Sequence, residues 1–131
     1  MKARIPKDPL QPLVLVYGMG EERLARLEAL LQGEQIPLKA LSDADLCQKA
    51  GFLCGLPGYL PGEPELLEPF PHEALLLCGF GDRALDRLLL LLRQNDLRVA
   101  RKAALTAVNR DWPLRQLLEE IDREHEMMSR R

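Results

Sequence analysis

The chain has 131 residues, enough for one compact domain and too few for two independent ones. Hydrophobic residues at 47% and charged residues at 29% exclude a wholly disordered chain. A formal charge of −2 excludes the basic excess expected of a dedicated duplex-nucleic-acid binder.

The chain opens with Lys2, Arg4 and Lys7, but no apolar stretch follows them: Gln11-Pro12 separates Leu10 from Leu13-Val14-Leu15-Val16. Neither a signal peptide nor a membrane span is expected. Cys47, Cys54 and Cys78 are an odd number, which fits reduced thiols and a cytoplasmic protein better than a secreted disulfide framework. Cys78 lies in an apolar strand, and nothing basic adjoins Cys54-Gly55 to activate it.

In chain order, the run from Leu13 predicts a strand buried on both faces, because a half-exposed strand would alternate. Gly18-Met19-Gly20 supplies a sharp turn, and a helix follows over about Glu21–Gly33 with Leu24, Leu27, Leu30 and Leu31 on one stripe. A second strand is expected near Ile36–Leu41. Ser42-Asp43-Ala44-Asp45 reads as a capping box opening a short helix through Cys47 to Ala50. The segment from Gly55 to His72 holds five of the ten prolines, which exclude helix and central strand. Leu56, Tyr59, Leu60, Leu66, Leu67 and Phe70 are interleaved with them, so this segment is expected to cover part of the surface. The pattern then restarts. Ala74–Cys78 predicts a strand, Gly79-Phe80-Gly81 a turn, Asp82–Asn95 a helix and Val99–Thr106 a strand. Asp111-Trp112-Pro113 is expected to cap a last helix from about Trp112 to Met128.

The restart is an internal repeat at an offset of 61, by which Leu13 through Glu21 aligns without gaps on Ala74 through Asp82. The register continues through Leu24, Arg26, Leu27, Leu30 and Leu31 onto Leu85, Arg87, Leu88, Leu91 and Leu92. It then places Ile36 and Leu38 on Leu97 and Val99. The expectation is one domain over 1–131: a first β-α-β-α copy at 12–50, a connecting segment at 51–72 and a second copy at 73–131. Two architectures fit. The favoured one is α/β, a four-stranded, mainly parallel sheet with helices on both faces and the two glycine-turn strands central. The other is a ferredoxin-like α+β sandwich.

No catalytic set is visible. Ser42 reads as a cap and Ser129 is terminal, so no serine–histidine–acid set exists. The cysteines lack zinc spacing, and Glu120, Glu124 and His125 read as a solvated face, so neither metal nor cofactor is expected. Gly18, Gly20, Gly79 and Gly81 stand where helix N-termini meet strand ends, a usual place for anions. Neither turn completes a nucleotide-binding motif, because Arg23 and Ala84 occupy the third glycine position. Lys102, Thr106, Asn109 and Trp112 form the densest polar stretch at an element boundary, placed alongside the glycine turns at the carboxyl end of the sheet. These eight residues are the ligand candidates. Hydrogen bonds within the loop and packing of Trp112 on Leu114 account for the last three equally well.

Thr106-x-x-Asn109-x-x-Trp112, followed by Leu117-Leu118-Glu119-Glu120 and Glu124-His125-Glu126-Met127, resembles the C-terminal signature of a small bacterial domain-of-unknown-function family (number three-seven-eight-three). Ala74 through Lys102 is similar to that family's strand, glycine turn and helix, so the likeness covers about 74–128. The resemblance implies a bacterial origin and a compact α/β domain, and brings no known activity with it.

The copies differ in one respect. Leu89 and Leu90 replace Glu28 and Ala29, leaving five consecutive leucines and a helix apolar nearly all round. Burial on more than one side is expected, with Leu89 and Leu90 as candidate interface residues of a homodimer or a partner complex. The functional expectation is a non-catalytic protein-interaction or self-association module. The alternative is a small-ligand or anion-binding sensor with its pocket at the strand ends.

Overall fold

Two central strands, β1 (Leu13–Tyr17) and β3 (Ala74–Cys78), run antiparallel in the register Leu13↔Cys78 through Tyr17↔Ala74, with Leu15 opposite Leu76. A computed structural model describes residues 11–129; the N-terminal basic stretch and Leu10 lie outside them. Helix α1 (Glu21–Gly33) leads to β2 (Leu38–Leu41), which pairs parallel to β1 on one edge. Helix α3 (Asp82–Gln94) leads to β4 (Lys102–Ala104), parallel to β3 on the other. The sheet order is therefore β2-β1-β3-β4. Short 3-10 turns at Asp43–Asp45 and Asn109–Asp111 precede α2 (Ala50–Leu53) and α4 (Leu114–Ser129).

The fold is mixed α/β, with two parallel strand pairs and an antiparallel centre. A split ferredoxin-like unit would insert a strand between β1 and β2; here they are direct neighbours. The antiparallel centre sends the two glycine turns to opposite ends of the sheet, which corrects the expectation that both stand beside the Thr106–Trp112 loop.

Strand residues divide by parity between two apolar clusters, as side chains alternate along a strand. Val14, Val16, Leu75 and Leu77 pack with Leu27 and Leu31 of α1 and Leu88 and Leu92 of α3. Leu15, Tyr17, Leu76 and Cys78 pack with Leu46, Leu53, Phe70, Leu114, Leu117 and Leu118. The near-continuous leucine of β3 follows, since all five of its residues are buried.

Both glycine turns place their first glycine in the left-handed region, Gly18 at φ 75° and Gly79 at φ 74°. A Cβ on Gly18 would also stand 2.9 Å from the His72 carbonyl oxygen, so glycine is required there. Gln35 and Asp96 share the other left-handed turn, at φ 60° and 57°. The copies then fall out of the sequence register. The Val14 N–H donates to the Pro37 carbonyl, but that of Leu75, the match of Val14, donates to Arg101. By strand pairing Leu38 therefore corresponds to Lys102 rather than to Val99, and Arg98-Val99-Ala100 is an extension found only in the second half of the chain. That extension shortens the second edge strand from the expected Val99–Thr106 to Lys102–Ala104.

The two helix starts meet. Ala50 N–H donates to the Trp112 carbonyl at 2.9 Å and Leu114 N–H donates to the Gln48 carbonyl at 2.8 Å, around an isolated Lys49↔Pro113 bridge. Each helix thus satisfies an orphan donor of the other. The Ser42 box is real, with Ser42 N–H donating to Asp45 Oδ2 at 2.8 Å, but it opens a 3-10 turn, and α2 begins only at Ala50. The expected cap at Asp111 is also corrected: α4 starts at Leu114, and the Asp111 carboxylate accepts the Tyr59 hydroxyl instead.

Candidate functional site

The Thr106–Trp112 loop is a closed hydrogen-bond lock. Asn109 is the one buried polar side chain among the described residues. Its Oδ1 accepts Thr106 N–H at 2.8 Å and its Nδ2 donates to the Ala104 carbonyl at 3.1 Å. Thr106 Oγ1 in turn accepts the N–H groups of Val108 and Asn109 at 3.2 and 3.0 Å. Trp112 packs on the cluster around Leu114 and gives its carbonyl to Ala50. Asn109 gives both ends of its amide and Thr106 its hydroxyl oxygen to the loop, so the lock terminates β4 and launches α4.

This Thr-x-x-Asn-x-x-Trp lock sits inside a recognised segment. Residues 73–128 match the family Domain of unknown function (DUF3783). The DUF3783 segment begins one residue before β3 and ends within α4, so it spans the β3-α3-β4-α4 half of the chain. Within it Arg101 Nε donates to Asp122 Oδ1 at 2.6 Å, joining the approach to β4 with α4 and lowering the Asp122 carboxyl below its ordinary range. No curated protein and no solved structure matches the chain.

The ligand candidates do not converge on one pocket. Gly79, Gly81, Thr106 and Asn109 lie toward one end of the sheet, where β3 and β4 finish together. Gly18 and Gly20 follow β1 at the opposite end, and Lys102, paired with Leu75 at the start of β4, lies toward that end too. Glu21, Glu22 and Asp82 occupy the first turns of α1 and α3, where a bound anion would have to sit. The interface candidates also part: Leu89 is half-buried and lines a cavity with Lys102, while Leu90 is 43% exposed. The apolar helix is thus largely covered by its own fold. Among the described residues no three His, Cys, Asp or Glu side chains gather around one metal position, and no helix is long and apolar enough to cross a membrane.

The sequence reading missed the anchored state of the proline-rich segment. Phe70 is buried, and its N–H donates at 3.0 Å to the Tyr17 hydroxyl, which itself donates to Asp43 Oδ1 at 2.5 Å. Gly62 N–H donates to Gln48 Oε1 at 2.7 Å and the Gln48 amide returns a bond to the Gly62 carbonyl at 3.3 Å. Tyr59 is tied to Asp111, and Arg115 donates to the Glu68 carbonyl while lying over the Phe70 ring. The sulfurs of Cys54 and Cys78 are brought together, with Cα atoms 6.9 Å apart, across the two ends of the loop containing this segment. Cys47 stands apart from that pair and is half-buried.

Between these anchors the segment stands out from the surface. Leu60 is 83% and Leu66 96% exposed. A groove of about 570 Å³ runs beside it, lined by Cys47, Lys49, Tyr59, Leu60, Asp111 and Pro113 among others. Glu63, Glu65, Glu68 and Glu73 are its charged residues, and the stretch from 55 to 73 contains no lysine or arginine.

Proposed function

We propose that this protein is a non-catalytic binding module whose proline-rich strap docks in an apolar groove with a basic rim on a partner protein. The observation that carries the reading is the exposure of Leu60 and Leu66 on a segment pinned at Tyr59, Gly62, Glu68 and Phe70. Fully burying a leucine contributes about 1.5–3 kcal/mol. Because the strap is already ordered, little of that gain is spent on immobilising it. Glu63, Glu65 and Glu68 supply complementary charge for the rim, favouring association rate and register, while Glu73 is paired with Arg23.

The same reading includes an ancestral duplication, with helices on both faces of the sheet. Three features support it. Leu15, opposite Leu76, is its own match at the offset of 61. Four of the six described left-handed residues fall in two matched pairs, Gly18 with Gly79 and Gln35 with Asp96. Arg26 donates to the Asn95 carbonyl at 2.6 Å while its match Arg87 donates to Glu34 at 2.9 Å, and Glu34 and Asn95 are themselves matched C-caps. The division of the core into two clusters supports the two-faced layering.

The test is affinity capture with the full chain and with a Leu60→Ser/Leu66→Ser variant, alongside light scattering after size exclusion. The expected result is a monomer that retains a partner lost from the variant. Identical retention by both proteins contradicts the strap reading. A second reading, a homodimer through the exposed edge of α3 at Leu90, is favoured instead if the chain runs as a dimer that Leu90→Gln disperses.

A further inference from the structure

The two copies carry matching pockets with opposite electrostatics. Each lies between the C-terminal half of the copy's long helix and the approach to its edge strand. In the first copy the walls are Glu28, Gln32, Gln35, Ile36, Pro37 and Leu38, around about 340 Å³. In the second they are Leu89, Leu92, Arg93, Arg98, Val99 and Lys102, around about 190 Å³. Arg93 stands where the first copy has Gln32, and Leu89 where it has Glu28. Lys102 stands at the strand position of Leu38, and the three-residue extension contributes both Arg98 and Val99. The lining of the second pocket thereby holds three cations and no anion, where that of the first holds one anion and no cation.

We infer that the second pocket binds a small organic anion, a carboxylate or phosphoryl group on a short apolar stem, between Arg93, Arg98 and Lys102 over a floor of Leu89, Leu92 and Val99. This inference is independent of the strap reading. Among the described residues none of the three cations makes an ion pair. Lys102 Nζ donates to the Val99 carbonyl at 3.0 Å, one of the three donors an ammonium carries. The extension is held in place: Arg23 donates to the carbonyls of Asp96 and Arg98 at 3.4 and 3.1 Å. Burial, and then the nearby Arg98 guanidinium, push the Lys102 pKa below its ordinary value, so an anion here would relieve both desolvation and like-charge crowding. Complementing the dipole at the end of α3 accounts for Arg93, but not for Arg98 and Lys102, which lie beyond that helix. Arginine forks and a lysine point charge over an apolar floor are the means by which proteins hold such anions.

The test is a titration of the full chain, followed by amide NMR, with hexanoate and with inorganic phosphate, against sodium chloride at matched ionic strength. The expected result is saturable shifts confined to residues 89–102 for at least one of the two anions and absent with chloride. Which anion saturates tells a carboxylate site from a phosphoryl site. Arg93→Gln, which installs the first copy's residue, and Lys102→Gln should each weaken that binding about tenfold or more while leaving the remaining resonances in place. Shifts no different from those with chloride, equal shifts around Glu28–Leu38, or unchanged affinity in both variants would overturn the inference.

Discussion

Asn109 shows how a polar side chain can be required without being a ligand site. Its amide answers the Thr106 N–H and the Ala104 carbonyl, so Asn109→Ala leaves both without their partner. A cost of about 1–3 kcal/mol in denaturant unfolding is expected, with Asn109→Asp intermediate because it keeps the acceptor alone. Tyr17 is tied in a similar way, accepting the Phe70 N–H while donating to Asp43. Tyr17→Phe should cost about 1–3 kcal/mol at neutral pH. Burial first, then the hydrogen bond to Asp43, raises the Tyr17 pKa above its ordinary 10.0. The folded chain therefore keeps the phenolic proton in a range where the unfolded chain releases it. That stabilisation is complete below about pH 10 and is lost as pH rises through the folded value. Stability curves of wild type and Tyr17→Phe should accordingly converge above pH 10; a gap that widens there would contradict the assignment.

Among the elements, α3 separates composition from position. Leu88 and Leu92 are buried, Leu89 and Leu91 half-buried, and Leu90 exposed, although the five are identical in sequence. Leu88→Ala should cost about 2–5 kcal/mol and Leu90→Ala within about 0.5 kcal/mol, read from thermal or denaturant unfolding. Helix α1 was legible to its ends, because glycines bracket it and its leucines keep a strict stripe. The strands β1 and β3 were equally legible, as unbroken apolar runs. The edge strands were read too long: the Arg98-Val99-Ala100 extension resembles a strand in composition but lies in the loop before β4. The pairs Cys54–Cys78, Tyr59–Asp111 and Tyr17–Phe70 were invisible, since each joins distant residues with no periodic signal between them. The lock at Thr106 and Asn109 was legible as loop chemistry because its partners are all local.

For the whole molecule the decisive feature is the direction of β3 relative to β1. Two β-α-β units can meet parallel or antiparallel with the same internal grammar, and the long proline-rich connection permits either. The antiparallel choice dismantles a single shared pocket, sends the glycine turns apart, and leaves each half of the chain a pocket beside its own edge strand. It also brings Lys49 opposite Pro113, where α2 and α4 start against each other.

The most direct test is a nuclear Overhauser spectrum of the labelled full chain, read for contacts between the two central strands. Contacts of Leu15 with Leu76 and of Leu13 with Cys78, together with amide contacts across Lys49 and Pro113, are the expected result. Contacts that advance in the same direction along both strands, Leu13 with Ala74 and Tyr17 with Cys78, would contradict the account.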